Sequence, residues 1–269
     1  TYIDTDAETA VVIDAATGKV LFAKEMNKKT YPASMTKIMT TLIVFEKLSN
    51  GTLSLDDKFL VSERAWKERE GSSMFVEVDK EIRVEDLLRG IIVQSGNDAC
   101  IVIAENIAGT EESFAFMMSD KAKEIGMLNT NFLNMETNQK SIAEVYSKEN
   151  GSLVHIVEPR SNPLDWTPGS SGLVSNAEDY IKFGLMLWND GEYNGQKILS
   201  SESIALMSYP HIKSGVLSKQ VEGMGFGLGV GVVMDAEKTI LIDKENDFFW
   251  SGFYGTNFFV SPQTGLVGV

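Results

Sequence analysis

Hydrophobic and polar positions divide the chain into stretches of different period. Between Glu8 and Ala23, Val11-Val12-Ile13 and Val20-Leu21-Phe22 flank Ala15-Ala16-Thr17-Gly18, the pattern of a hairpin closed at a glycine turn. From Ser34 to Ser49 the period becomes helical. Met35, Ile38, Met39, Leu42 and Phe45 form an i, i+3, i+4 stripe that Asn50-Gly51 stops. Such a stripe is a core face, and it gives Ser34 a rigid support. Helical spacing then dominates Leu53 to Gly126, with helices predicted over Glu85–Gln94, Asn97–Ala108 and Glu111–Ile125. Between the first two lies the polar turn Gln94-Ser95-Gly96-Asn97, which is either a cleft-facing element or a plain helix–helix turn capped by Ser95 or Asn97.

The stretch from Asn138 to Pro168 is loop-rich, with one helix predicted at Ile142 to Lys148. Ser175-x-x-Glu178 then reads as a capping box opening a helix that carries Tyr180, Phe183, Met186 and Leu187. A shorter helix follows at Ser201 to Met207. The last 45 or so residues read as strands. Phe226, Leu228, Val230 and Val232 alternate with Gly225, Gly227, Gly229 and Gly231, and further strands follow at Thr239–Ile242, Phe248–Gly252, Asn257–Val260 and Gly265–Val269. The alternating glycines mimic a phosphate loop, but no helix follows them, so a strand packed closely on a neighbour is expected. The layout is α+β: an antiparallel sheet formed by both chain ends and flanked by helices, with an inserted all-helical subdomain and a cleft between the two. In residue terms it is one domain over 1–269, with a sheet subdomain from 1–55 and 190–269 and a mainly helical one from 56–189.

Composition narrows the classes. A chain of 269 residues with 43% hydrophobic and 23% charged residues buries a sizeable core. The formal charge of −14 argues against nucleic acid and anionic membrane surfaces as partners. No apolar run reaches the ~20 residues of a membrane-crossing helix, and no basic-then-apolar leader stands at Thr1, so any secretory signal is expected to have been removed. Cys100 is the single cysteine, which excludes an intrachain disulfide and a cysteine metal cluster. Its apolar setting, Ala99 to Ala104, reads as that of a buried inert thiol. His155 and His211 match no paired metal-ligand spacing, and no metal or cofactor is expected. A Ser-His-Asp enzyme would have to draw on one of these two histidines.

A lysine-activated serine needs neither. In Pro32-Ala33-Ser34-Met35-Thr36-Lys37, Ser34 and Lys37 lie one helical turn apart on a shared face. A serine hydroxyl is a weak nucleophile until a neighbouring base takes its proton, and a lysine kept neutral by its surroundings is such a base. A polar turn (Ser95, Asn97) and a late strand with a short S-G element complete the three-part pattern of serine acyl-transfer enzymes.

On these residues the first half resembles the low-molecular-mass penicillin-binding DD-carboxypeptidases. The matching features are Val12-Ile13-Asp14 with Thr17-Gly18-Lys19-Val20, the Ser34–Lys37 segment, Gly71-Ser72-Ser73-Met74-Phe75, and Gly90 through Gln94-Ser95-Gly96-Asn97-Asp98-Ala99. The resemblance runs from about Ala7 to Asn134. The second half, from about residue 139 to 269, is similar to class C β-lactamase-like proteins and most of all to family VIII carboxylesterases. It rests on Pro168-Gly169-Ser170-Ser171-Gly172-Leu173-Val174-Ser175, Glu178-Asp179-Tyr180, Gly225-Phe226-Gly227-Leu228-Gly229 and Tyr254-Gly255-Thr256-Asn257-Phe258-Phe259-Val260. Together they imply a β-lactamase/transpeptidase-like fold and a fusion of two branches of one superfamily, natural or engineered.

The resemblance implies roles. Ser34 forms an acyl-enzyme, Lys37 takes its proton, Ser95 relays a proton to the leaving group, and Asn97 holds Lys37 or the substrate amide. Trp250-Ser251-Gly252 falls where the esterases carry their third motif, and the N–H groups of Ser34 and Phe253 form the oxyanion hole. Lys213-Ser214-Gly215 is a rival third motif with the residue types the carboxypeptidases use. Three functions follow as expectations: a serine D-Ala-D-Ala carboxypeptidase acting on peptidoglycan stem peptides, an esterase of small esters with β-lactamase side activity, and a folded fusion with little activity or a module that traps β-lactams as covalent ligands. The implied location is periplasmic or otherwise extracytoplasmic.

Overall fold

The computed structural model describes residues 5–68, 70–132, 142–156, 167–213, 222–239 and 244–269. The chain forms two compact units. One comprises the residues up to Lys28 with Asn176–Ser251 and Gly255–Val269; the other comprises Lys29–Ser175 with Gly252–Tyr254.

The first unit is built on a seven-stranded antiparallel sheet in the order Met224–Phe226, Gly231–Val233, Phe248–Ser251, Asn257–Ser261, Leu266–Gly268, Ala10–Asp14, Lys19–Lys24. Both chain ends meet in it, with Val12 opposite Gly268 and Ile13 opposite Val267. The opening hairpin turns where expected. Asp14 Oδ1 accepts from the N–H groups of Ala16 and Thr17, and Gly18 takes the left-handed φ of +70° that the turn requires. The helix Ala177–Trp188 lies on this sheet, its Tyr180 and Phe183 rings packed on Phe258. Gly184 allows the close approach, since a Cβ there would stand 2.5 Å from Val267.

Three local expectations are corrected. The cap of that helix is Asn176, whose Oδ1 accepts from Asp179 N–H, and not Ser175. Ser175 is engaged elsewhere: its backbone pairs with Thr30 in both directions, and its hydroxyl is 2.7 Å from that of Thr130. The glycine-alternating run is a hairpin rather than one strand. It reverses between Phe226 and Gly231, with Gly229 at φ +85° and Gly227 N–H donating to Val230 O. In the second unit, the helix expected at 142–148 is replaced by a hairpin in which Tyr146–Glu149 pairs with Ser152–His155. Its turn is Asn150-Gly151, both at positive φ, a dipeptide suited to a tight hairpin turn. The strand read at Thr239–Ile242 falls mostly outside the described residues.

The helical core of the second unit comprises α1 (Lys37–Ser49), α2 (Glu63–Lys67), α3 (Val84–Ile92), α4 (Asn97–Ala108) and α5 (Glu111–Glu124). α4 is enclosed by α2, α3 and α5, which is why Asp98 to Ala104 are all buried and why its sequence is apolar on every side. α1 packs on α3 and α5 and so belongs with this unit, whereas Ala177–Trp188 belongs with the sheet. The subdomain boundaries read from sequence at 55/56 and 189/190 therefore differ from the compact units at 28/29 and 175/176. The reason is packing: each helix goes with the apolar surface that it covers.

Candidate active site

Ser34 sits in a short 3-10 turn, Ala33–Thr36, that leads directly into α1. Ala33 holds φ +49°, a left-handed conformation costing about 1 kcal/mol for a residue with a Cβ. Its neighbours Ala33, Met35 and Thr36 are buried, while Ser34 remains half-buried. Lys37 begins the regular helix. Its side chain is 6% exposed, and its Nζ lies 3.2 Å from Ser34 Oγ and 3.1 Å from Ser170 O. Among the described residues these are its hydrogen bonds; Ser95 and Asn97 are not among them. Burial holds the Lys37 amine below the ordinary lysine value, a shift that only an ionised Cys100 opposes. The 3.2 Å contact works in both directions, since an ammonium donates to Oγ and a neutral amine accepts from it.

The partner carbonyl comes from Pro168-Gly169-Ser170-Ser171-Gly172. This segment is a tight turn, closed by Ser171 and Gly172 N–H groups donating to Pro168 O. Thr40, one helical turn beyond Lys37, donates from Oγ1 to Gly169 O at 2.6 Å and is fully buried. The two glycines let the turn come close. A Cβ on Gly169 would meet Thr40 Oγ1 at 3.0 Å, and one on Gly172 would meet the Phe132 ring at 2.3 Å.

Ser95 and Asn97 occupy a separately braced turn of the same unit. Ser95 adopts φ +58° between α3 and α4. Asn97 N–H donates to Ser72 O, and its Nδ2 donates to Glu70 O at 2.9 Å. Neither residue caps α4 through its side chain; the N-cap is Gly96. Beneath them Asp98, wholly buried, accepts from Ser73 Oγ at 2.6 Å and from the N–H groups of Met74, Val76 and Ala99. This carboxylate ties the Gly71–Phe75 segment to the start of α4.

The third-motif residues are divided. Trp250 and Ser251 end a sheet strand, with Trp250 against Phe226 and Ser251 Oγ donating to Asn257 Oδ1. Gly252, Phe253 and Tyr254 belong with the helical unit. Phe253 is 84% exposed and packs on Tyr254, whose ring meets Tyr31 edge-on in a cluster with Ile142 and Val174. Tyr31 is three residues before Ser34. Lys213 is exposed next to the Ile212–Phe226 bridge, and Ser214 and Gly215 lie outside the described residues. Both histidines serve elsewhere: His155 packs on Tyr146, and His211 bonds Leu206 O. Cys100 is fully buried, its thiol pushed up to about 12 by burial.

Sequence reading missed Thr40, Asp98 and Ser170. Thr40 is i+3 from Lys37 and Asp98 follows Asn97, so both left a signal. Ser170 acts through its backbone carbonyl, which leaves none.

Comparison with known proteins finds two families, one toward each end of the chain. The family model described as D-alanyl-D-alanine carboxypeptidase matches residues 1–144, and the one described as beta-lactamase matches residues 100–269. D-alanyl-D-alanine carboxypeptidase DacF of Bacillus subtilis is 46% identical over 129 residues, which is 48% of this chain and 33% of that protein. The chain thus spans about a third of the length of the curated relatives it matches. Penicillin binding protein 5 from Haemophilus influenzae superposes with a TM-score of 0.52 at 29% identity, covering 71% of this chain and 47% of that one. EstCE1, a hydrolase with promiscuous acyltransferase activity, superposes with a TM-score of 0.69 at 18% identity over 97% of this chain and 88% of its own, which shows a shared fold. The fold is accordingly β-lactamase/transpeptidase-like, and no helix among the described residues is long and apolar enough to cross a membrane. By these matches the chain belongs to the D-alanyl-D-alanine carboxypeptidase family over its first half and to the β-lactamase family over its second, the two overlapping across residues 100–144.

Proposed function

We propose that the chain is a serine acyl-transfer hydrolase, of D-alanyl-D-alanine carboxypeptidase type, working through an acyl-enzyme on Ser34. The observation that carries this reading is the buried Lys37 amine 3.2 Å from Ser34 Oγ, in surroundings that favour its neutral form. Neutral Lys37 takes the Oγ proton as Oγ attacks the scissile carbonyl. The tetrahedral oxyanion is received by the N–H groups of Ser34 and Phe253, a pairing worth about 3–4 kcal/mol per well-aimed donor. Collapse expels the leaving nitrogen, which gains its proton through Ser95, while Asn97 receives the substrate amide. Lys37 is neutral again once its proton has passed by way of Ser95 to the leaving nitrogen. It then takes a proton from the water that attacks the ester, and Ser34 Oγ recovers that proton as the ester bond breaks. The substrate class is a peptidoglycan stem peptide ending in D-Ala-D-Ala, met outside the cytoplasm. β-lactams are covalent ligands by the same attack.

Mass spectrometry after incubation with a labelled penicillin tests this reading. A stable adduct on the peptide carrying Ser34, absent from Ser34→Ala, is expected; no adduct on the wild-type protein overturns it.

A second reading is favoured by Trp250. A neutral aromatic stands where carboxypeptidases carry a lysine that attracts the substrate carboxylate, so small esters are the alternative substrates. Faster turnover of p-nitrophenyl butyrate than of a D-Ala-D-Ala peptide would select this reading.

A further inference from the structure

No side-chain hydrogen bond among the described residues joins Thr40 to Ser34 or Lys37, yet Thr40 holds the carbonyl next to the one that Lys37 uses. Gly169 and Ser170 present successive carbonyls to one face of α1, the first taken by Thr40 Oγ1 at 2.6 Å and the second by Lys37 Nζ at 3.1 Å. The Thr40 hydroxyl is fully buried, so its bond to Gly169 O is shielded from water. The turn packs closely at this contact: a Cβ at Gly169 would stand 3.0 Å from Thr40 Oγ1, with the Phe114 ring at ordinary contact distance behind it.

We propose that Thr40 is a positioning residue: its hydroxyl locks the Pro168–Gly172 turn so that Ser170 O accepts from Lys37 and sets the direction of the Lys37 amine toward Ser34. The proposal rests on the reading of Lys37 as the base for Ser34. A neutral amine has two N–H groups and one lone pair. With one N–H held by Ser170 O, rotation about the last side-chain bond is restricted and the lone pair is left for the Ser34 hydroxyl. After proton transfer the same carbonyl stabilises the ammonium. Ser170 O therefore acts at both stages, and Thr40 keeps it in place. The two partners come from opposite halves of the sequence, Thr40 from the carboxypeptidase-like half and the turn from the β-lactamase-like half.

Thr40→Val keeps the shape and removes the donor, and Thr40→Ser keeps the donor. Two readouts are taken: the pH dependence of Ser34 acylation by penicillin, and the titration of Lys37 followed by its side-chain NMR signal, assigned through Lys37→Arg. Thr40→Val is expected to slow acylation about tenfold. It is also expected to lower the Lys37 midpoint by about one pH unit, since a hydrogen bond to a charged group is weakened. Thr40→Ser restores both. An unchanged midpoint in a folded Thr40→Val protein overturns the proposal, as does an equal loss in Thr40→Ser. If Thr40→Val does not fold, Gly169→Ala displaces the same turn and is read by the same titration, with the same two outcomes. A wild-type protein that forms no adduct refutes the acyl-enzyme reading alone, because the Lys37 titration still reports whether Thr40 holds its partner.

Discussion

The corner that holds Ser34 and the strand tip that carries Trp250 and Ser251 are built on opposite principles. At the corner, most polar atoms have a buried partner: Lys37 has Ser170 and Ser34, Thr40 has Gly169, and Asp98 has Ser73 and three backbone N–H groups. At the strand tip, the Trp250 ring meets that of Phe226, Ser251 is bonded to Asn257, its partner across the hairpin, and Phe253 stands almost fully in solvent. Buried hydrogen bonds fix geometry because breaking one leaves an unsatisfied group, whereas exposed ones exchange with water at little cost. On the proposed reading, a nucleophile and its base need that fixity.

The comparison is broken most sharply at Lys37. Lys37→Ala is expected to lower penicillin acylation of Ser34 by about 10²–10⁴-fold, the usual range for a general base, measured by stopped-flow or mass spectrometry. Unchanged acylation would move the base elsewhere. Next in size is Asp98→Ala, expected to destabilise the fold by about 3 kcal/mol in chemical denaturation, because four donors lose a buried acceptor together. Trp250→Lys, at the loosely held tip, is expected to change stability by under about 1 kcal/mol. It should also shift the preference toward substrates ending in a free carboxylate by about tenfold, read as the ratio of peptide to ester turnover.

Smaller effects sharpen the contrast. Because burial lowers the Lys37 midpoint below its unfolded value, the unfolded chain holds more protons between the two midpoints. Folding stability attributable to Lys37 is therefore expected to rise with pH across that window, the penalty being complete below the folded midpoint. Denaturation of the wild type and Lys37→Met at a series of pH values checks the slope, which the variant should lose. Cys100, fully buried with its thiol pushed up to about 12, should resist thiol reagents in the native protein and react only on unfolding.

Much of the fold was legible because burial writes a period into the sequence. The strand Ala10–Asp14 and the helix α3 each have one face against a core, and that face repeats at the spacing of the element. In α1 the expected stripe is buried only in part, Phe45 being exposed while Thr40, Thr41 and Val44 are buried. The errors have equally local causes. Tyr146–Glu149 is short and mostly exposed, so its apolar positions carried no period and the Asn150-Gly151 turn was the better guide. The glycine run from 225 to 231 alternates as a strand does, yet it turns back because Gly229 takes a conformation other residues avoid. Ser175 matched a capping box, but pairing with Thr30 and Thr130 held it outside the helix.

The sequence by itself determined the pairing of Ser34 with Lys37, since a spacing of three on a helix places two side chains on one face whatever surrounds them. It also determined the α+β layout, the meeting of both chain ends in one sheet and the double ancestry. Only the tertiary structure decided that Lys37 is buried, that a carbonyl 133 residues away accepts its hydrogen bond, and that Thr40 donates to the carbonyl next to it. Backbone acceptors have no residue identity, and burial belongs to the packed assembly rather than to any stretch of chain. Both facts become available only once the turn at 168–172 has been brought against α1.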